Sequence, residues 1–250
     1  MKYKALITDL DGTAILNQQY AQPTQRVIEA VEKAQKIIKV AAATGRPIST
    51  ANWVIKPLKL TSPCIITAGT QIIDPLSQKI LWEETMPEEI VKKVLKVVDA
   101  MPYRAILSSQ YITHPEQPRP TTIHDEGVIY IGWVPLEESA TVISAIKQVA
   151  LVNVNEAQGY PPNTVGLHVT SKNATKKHAV EELISLLGIQ KEEVIGVGDS
   201  NNDLPLFDAV GLKIAMGNAT ERLKDSADFV APPVEEDGLA YVIEKFILSS

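Results

Sequence analysis

Cysteine occurs once in the 250 residues, at Cys64, so no internal disulfide can form. Lying in the apolar run "PCIITAG", it reads as a small buried hydrophobe rather than a reactive thiol. No apolar stretch is long enough to cross a bilayer and no signal-peptide pattern opens the chain, so a cytoplasmic protein without a membrane partner is expected. Blocks of lysine or arginine are missing too. At a net charge of −6, neither nucleic-acid phosphates nor an anionic membrane is expected as the main partner. The four histidines, His114, His124, His168 and His178, show no metal-ligand spacing. Trp53, Trp82 and Trp133 read as packing residues rather than a base-stacking platform. Repeats and low-complexity segments are absent. What remains is an ordinary globular composition, 45% hydrophobic and 22% charged, long enough for one large domain or two modest ones.

Along the chain, short apolar runs alternate with helical patterns. "YKALIT", "IIKVAAA" and "CIIT" predict buried strands, and Pro23-Thr24 opens a helix whose Val27, Val31, Ala34 and Ile38 share a face. Such alternation predicts a parallel sheet covered by helices on both faces, an α/β fold. The middle differs. A helix begins at Pro87 with Glu88 and Glu89 in its first turn, then come the strands "YRAILSS" and "GVIYIGWV", a helix over about 136–150, and the strands "LVNVNE" and "TVGLHVT". This α-β-β-α-β-β order predicts an antiparallel α+β unit inserted into the α/β domain. The expected divisions are 1–82, 83–168 and 169–250. From about residue 174 the βα alternation resumes, with a helix ending at Gly188, the strand "EVIGVG", a helix in "NDLPLFDAV", strands "KIAM" and "DFVA", and a C-terminal helix carrying Leu239, Val242, Ile243 and Phe246.

Asp9 and Asp11 stand one residue apart at the end of the first buried strand, where two like charges repel. Asp199 and Asp203 in "GVGDSNND" repeat the pattern. Ligands of open parallel sheets bind beyond the carboxyl ends of the strands, so these groups and Thr44 are expected to converge on one rim. A hard cation relieves their repulsion, and magnesium suits a few carboxylates with water and phosphate oxygens completing its shell. Thr44-Gly45 offers a hydroxyl and an unobstructed N–H to a phosphate. "ATKKHAVEELISLLG" carries lysines in its first turn, where the helix dipole disfavours cations by roughly 0.3–1 kcal/mol each. A bound anion facing both the ammonium and the helix N-terminus would account for that. "GVGDSN" nearly matches the dinucleotide fingerprint, but its last position is Asn201 and Asp199 would face the pyrophosphate, so that reading is set aside.

"DLDGT" (9–13), "ATGR" (43–46), a helix-opening lysine and "GDSNND" (198–203) resemble, in order, the four motifs of haloacid dehalogenase-like phosphatases. The segment "VGDSNNDLPLFDAVGLKIAMGNATERLKDSADFV" is similar to the Cof-like branch, and the inserted unit resembles its C2-type cap. The resemblance implies a Rossmann-like core. It also implies that Asp9 is the nucleophile, forming an aspartyl-phosphate, and that Asp11 is the general acid and base. Thr44 and Gly45 would hold the phosphoryl group, and Lys176 would neutralise it. Magnesium would sit on Asp9, the Asp11 backbone carbonyl and Asp199, with Asp203 behind them and Asn202 donating towards substrate or phosphate. Lys172 also lies near the third motif, and Lys176 is preferred because it opens the helix. The branch usually has Gly where Lys177 stands, and Asn-Gly where Ala68-Gly69 stands.

The expected activity is magnesium-dependent hydrolysis of a small phosphorylated metabolite by a monomer or homodimer. The short cap resembles that of phosphoglycolate and sucrose-phosphate phosphatases, and Arg104, Arg119, Tyr160 and Asn163 are its candidate substrate contacts. A phosphomutase of the same superfamily is one alternative. A phospho-acceptor or binding module is another, although such receiver domains lack the Asp-x-Asp spacing and the inserted cap.

Overall fold

The structure, a computed structural model, describes residues 2–18, 20–108, 119–120, 122–158 and 162–249, with only the backbone of residues 157 and 158. The first part runs β1 (Ala5–Thr8), α1 (Gln25–Ala34), β2 (Lys39–Ala42), α2 (Ile48–Ile55), β3 (Cys64–Ile66), β4 (Gln71–Ile73) and β5 (Ile80–Glu83). Next come α3 (Glu88–Val98), β6 (Arg104–Leu107), β7 (Val128–Pro135), α4 (Leu136–Val149), β8 (Val152–Gln158) and β9 (Thr164–Ser171). The chain continues through α5 (Lys176–Leu187), β10 (Val194–Gly198), α6 (Leu204–Asp208), β11 (Leu212–Ala215), α7 (Glu221–Asp225), β12 (Phe229–Val230) and α8 (Gly238–Ile243).

Strands β1 and β10 are buried at every residue, as apolar runs covered on both faces must be. They lie at the middle of a five-stranded parallel sheet ordered β12-β11-β10-β1-β2. Thr8 pairs with Ala42 on one side and Val197 on the other, so β1, β2 and β10 end at the same level. The N-terminus of α1 is set by Thr24, whose hydroxyl accepts from Val27 N, and Val27, Ala30, Val31 and Ala34 form its buried face. At the other end of the chain α5 stops at Gly188, which adopts φ 66°.

Three local features differ from the sequence expectation. β3, β4 and β5 form an antiparallel sheet, joined to the rim of the parallel one by a bridge between Ala43 and Ile65. Its short strands carry too few residues to show a period, and the β4–β5 turn is held by Asp74 Oδ1 accepting from Leu76 N and Ser77 N. The helix expected over "NDLPLFDAV" is a 3₁₀ turn at Asn201–Asp203 followed by the short α6. The C-terminal helix widens into a π-helix over Glu244–Leu248, with Leu239, Val242 and Ile243 buried and Phe246 partly buried.

Buried apolar residues fall into two clusters. One draws on Ala5 to Ile73 and Ala179 to Ile247, the other on Met86 to Val169. The second cluster lies between α3, α4 and one face of an antiparallel sheet ordered β6-β7-β9-β8, the separate α+β unit expected from the α-β-β-α-β-β order. Ile129, Ile131, Leu167 and Val169 point into it, so by strand alternation Tyr130 and His168 point the other way. Cys64 is buried, and burial pushes its thiol up to about 12. Among the tryptophans, only Trp82 packs against the first cluster. Trp53 is an exposed side chain stacked on Tyr20, and Trp133 is exposed on a β-bulge. Among the described residues, no helix is long and apolar enough to cross a membrane.

Candidate active site

After β1 the chain turns through residues 9–13. Gly12 adopts φ 73°, and a Cβ there would lie 2.2 Å from Asp199 Oδ2, so only glycine lets this turn close on the loop after β10. Asp9 N donates to Val197 O at 2.9 Å, which holds the buried Asp9 level with the end of β10. Opposite it stands Lys176, the first residue of α5. Thr175 caps that helix by accepting from His178 N at 3.1 Å. Gly69 lies so close that a Cβ would sit 2.9 Å from the Thr175 carbonyl.

The buried Lys176 ammonium donates to Asp9 Oδ1 at 2.8 Å, to Asp203 Oδ1 at 2.6 Å and to Asn202 Oδ1 at 3.4 Å. The fully buried Asp203 carboxylate also accepts, at its other oxygen, from Asp199 N and Ser200 N at 3.1 Å each. Burial alone would favour a neutral amine, but Asp203 and Asp9 outweigh it and hold the Lys176 pKa above its usual value. Burial pushes Asp9 well above the ordinary carboxylate range, Lys176 opposes that, and Asp203 and Asp199 add to it. Burial and then Asp203 push Asp199 up to about 7. Two carboxylates thus share one ammonium with a third, Asp199, beside them, so carboxyl groups outnumber cations here.

Oxygen atoms of Asp9, Asp199 and Asp203 all lie within 4.8 Å of one another. Both Asp203 oxygens are already occupied by Lys176 and the two N–H groups, which leaves Asp9 and Asp199 to face a cation. Hard oxygen donors with surplus charge fit a hard divalent ion.

Asp9, Asp11, Thr44, Gly45, Lys176, Asp199, Asn202 and Asp203 lie along this rim. Lys176 is paired with Asp9 and Asp203, an Asp199 oxygen lies within 4.8 Å of theirs, and Asn202 turns its oxygen to the ammonium. Thr44, buried at the end of β2, accepts at its hydroxyl from Arg46 N at 3.1 Å, and Gly45 follows it. Asp11 is gripped by Arg46, which donates to both carboxylate oxygens through Nε at 2.8 Å and Nη2. Arg46 closes the "ATGR" motif, and its pairing with Asp11 spans 35 residues of sequence. Lys172 is exposed, away from the buried ammonium site.

Beside Gly45 opens a cavity of about 340 Å³. Gly45, Pro47, Thr67 and Gln71 line one side, Ser108, Tyr130 and His168 the other. His168 Cε1 would be 3.6 Å from a Cβ on Gly45, so the two units meet here. The Tyr130 ring occupies the space left by Gly132 and Gly166, since a Cβ on Gly166 would lie 2.6 Å from Tyr130 Cε2. Burial pushes His168 down to about 4, so it is neutral at pH 7. None of the cap positions named from sequence lines this cavity among the described residues. Arg119 instead forms a bidentate pair with Asp99. Asn163 is exposed in a turn, its carbonyl accepting from Leu136 N. Arg104 is exposed on β6, and Tyr160 lies outside the described residues. Strand alternation around the glycines of β7 and β9 was the signal for Tyr130 and His168.

A family model for haloacid dehalogenase-like hydrolases matches residues 6–129 and 110–243. Phosphoglycolate phosphatase 1 of Saccharolobus solfataricus is 34% identical over 247 residues, covering 98% of this chain and 96% of that protein. A haloacid dehalogenase-like hydrolase from Bacillus subtilis has the same fold, with a TM-score of 0.80 at 21% identity over 98% of this chain and 100% of that one. A sugar phosphatase of haloacid dehalogenase subclass IIB also shares it, with a TM-score of 0.77 at 24% identity over 97% and 98% of the two chains.

Proposed function

This chain belongs to the haloacid dehalogenase-like hydrolases, and from that premise we propose that it is a magnesium-dependent phosphatase of a small phosphorylated metabolite, working through an aspartyl-phosphate on Asp9. The observation that carries the reading is the buried Lys176 ammonium shared by Asp9 and Asp203 with Asp199 alongside. Asp9, Asp199 and the Asp11 backbone carbonyl would hold the ion. Bound there, magnesium supplies positive charge to the phosphate oxygens and to the carboxylates around them.

Asp9 attacks phosphorus, a new P–O bond forms to its carboxylate, and the bond from phosphorus to the alcohol oxygen breaks. Asp11 delivers a proton to that departing oxygen. Water then attacks the phosphorus, Asp11 takes the water's proton, and the acyl-phosphate P–O bond breaks to restore Asp9 and release inorganic phosphate. Thr44 and Gly45 position the phosphoryl group, and Lys176 stabilises its charge. Both Asp11 oxygens accept from Arg46 here. Proton delivery therefore requires Arg46 to release one, and an incoming phosphate is a competing partner for the guanidinium. The antiparallel unit, residues 83–168 as divided in the sequence, serves as the cap that shields the reaction from bulk water.

Release of inorganic phosphate from a panel of phosphomonoesters, with magnesium and with chelator, tests this. Asp9→Asn is expected to lower kcat by at least about a thousandfold while the protein stays folded by circular dichroism. Substantial residual turnover in that variant would overturn the assigned nucleophile.

A further inference from the structure

We infer that the cavity beside Gly45 selects a leaving group without negative charge, accepting hydroxylated or amine-bearing alcohols and rejecting carboxylate-bearing ones. The inference rests on the phosphatase reading and specifies its substrate class. It sets the chain apart from the phosphoglycolate substrate in the name of its Saccharolobus relative.

The cavity's charge is one-sided. Glu83, Asp125 and Glu126 line it, and no lysine or arginine does among the described residues. Residues 109–118 and 159–161 contain no lysine or arginine either. Arg104, at the start of β6, is not among the residues that line it. The donors to two of the carboxylates are neutral. Glu83 accepts from the Gln71 side-chain amide at 2.6 Å, and Asp125 accepts from Glu88 N at 2.8 Å. Glu126, almost fully buried, accepts from the Ser108 hydroxyl at 2.6 Å.

A phosphate seated at Thr44 and Gly45 would direct its ester oxygen and leaving group into this space. A carboxylate on that group would meet carboxylates there, with no lysine or arginine among the described lining residues, the nearby Arg46 engaged by Asp11, and His168 neutral at pH 7. Hydroxyls would instead find acceptors in Glu83, Asp125 and the Tyr130 oxygen, and a donor in the Gln71 side-chain amide. An amine would be attracted outright.

Matched esters separate charge from size. Values of kcat/KM are to be measured for phosphoglycolate against ethylene glycol monophosphate, and for phosphoglycerate against glycerol phosphate. Each pair differs only by a carboxylate in place of a hydroxymethyl group. The uncharged member of each pair is expected to be favoured by at least about tenfold, with ethanolamine phosphate hydrolysed faster than phosphoglycolate. The double variant Glu83→Gln/Asp125→Asn is expected to narrow both ratios towards one. Preference for the carboxylate esters, or ratios that the folded double variant leaves unchanged, would overturn the inference. Failure to hydrolyse any ester, p-nitrophenyl phosphate included, would instead overturn the phosphatase reading on which it stands.

Discussion

Lys176 is a charged side chain with almost no solvent contact, and it is kept charged by Asp9 and Asp203. Removing one partner of a buried ionic cluster leaves the other charges uncompensated. Lys176→Met is therefore expected to destabilise the protein by about 3–5 kcal/mol in urea unfolding, and adding Asp203→Asn should recover part of that loss. A double variant no more stable than the single one would contradict the shared ammonium. A second residue-scale feature is Ala68, whose φ of 56° lies in the left-handed region that disfavours a Cβ by roughly 1–2 kcal/mol. Asparagine, usual here in the resembling branch, tolerates that conformation better. Ala68→Gly relieves the strain but loosens the unfolded chain, so a net gain of about 0.5–1 kcal/mol is expected, read as a higher urea midpoint at unchanged m.

At the scale of elements, the site is made by strand ends that stop together. β1 and β10 pair in register up to Thr8 and Val197, and the next residues are the ones that turn outward with function. Gly12 allows the first of these loops to meet the second. Gly12→Ala would push a methyl group into Asp199 Oδ2 and strain a positive φ. It is expected to weaken activation by magnesium at least about tenfold, measured as the half-activating concentration, with kcat at saturating metal less affected. Unchanged activation would show that this loop contact does not orient Asp199. In the other unit the alternation of β7 and β9 sorts apolar side chains towards α3 and α4, and Tyr130 and His168 towards the cavity. Gly132 and Gly166 leave the room that the Tyr130 ring fills.

For the molecule as a whole, surplus negative charge at the rim couples stability to pH and to metal. Asp199 has a folded pKa of about 7 against 3.8 for the ordinary carboxyl. Between those values the folded protein holds a proton that the unfolded chain has released. Its contribution to stability is therefore full below about pH 4 and is lost as pH rises through about 7. A divalent ion needs the deprotonated carboxylate, so the rise in Tm produced by magnesium over chelator is expected to grow from pH 5 to about pH 8. Asp199→Asn should flatten that trend. A magnesium effect independent of pH would contradict it.

The chemistry was legible in the sequence because its residues are fixed by local position: a carboxylate after β1 and after β10, a threonine-glycine after β2, a lysine at a helix start. Strand ends in a parallel sheet have only one side on which to meet, so Asp9, Thr44 and Asp199 could be assigned to one rim from order alone. The antiparallel unit was legible for a similar reason, since its element order left few pairings. Tertiary structure alone decided which charges touch: the Arg46 grip on Asp11, the sharing of Lys176 by two carboxylates, and the acidic wall facing Gly45. Those contacts join residues far apart in the chain, such as Asp9 and Lys176 or Gly45 and His168. Side-chain reach and burial across such distances leave no periodic trace in a sequence, whereas helix starts and strand ends do.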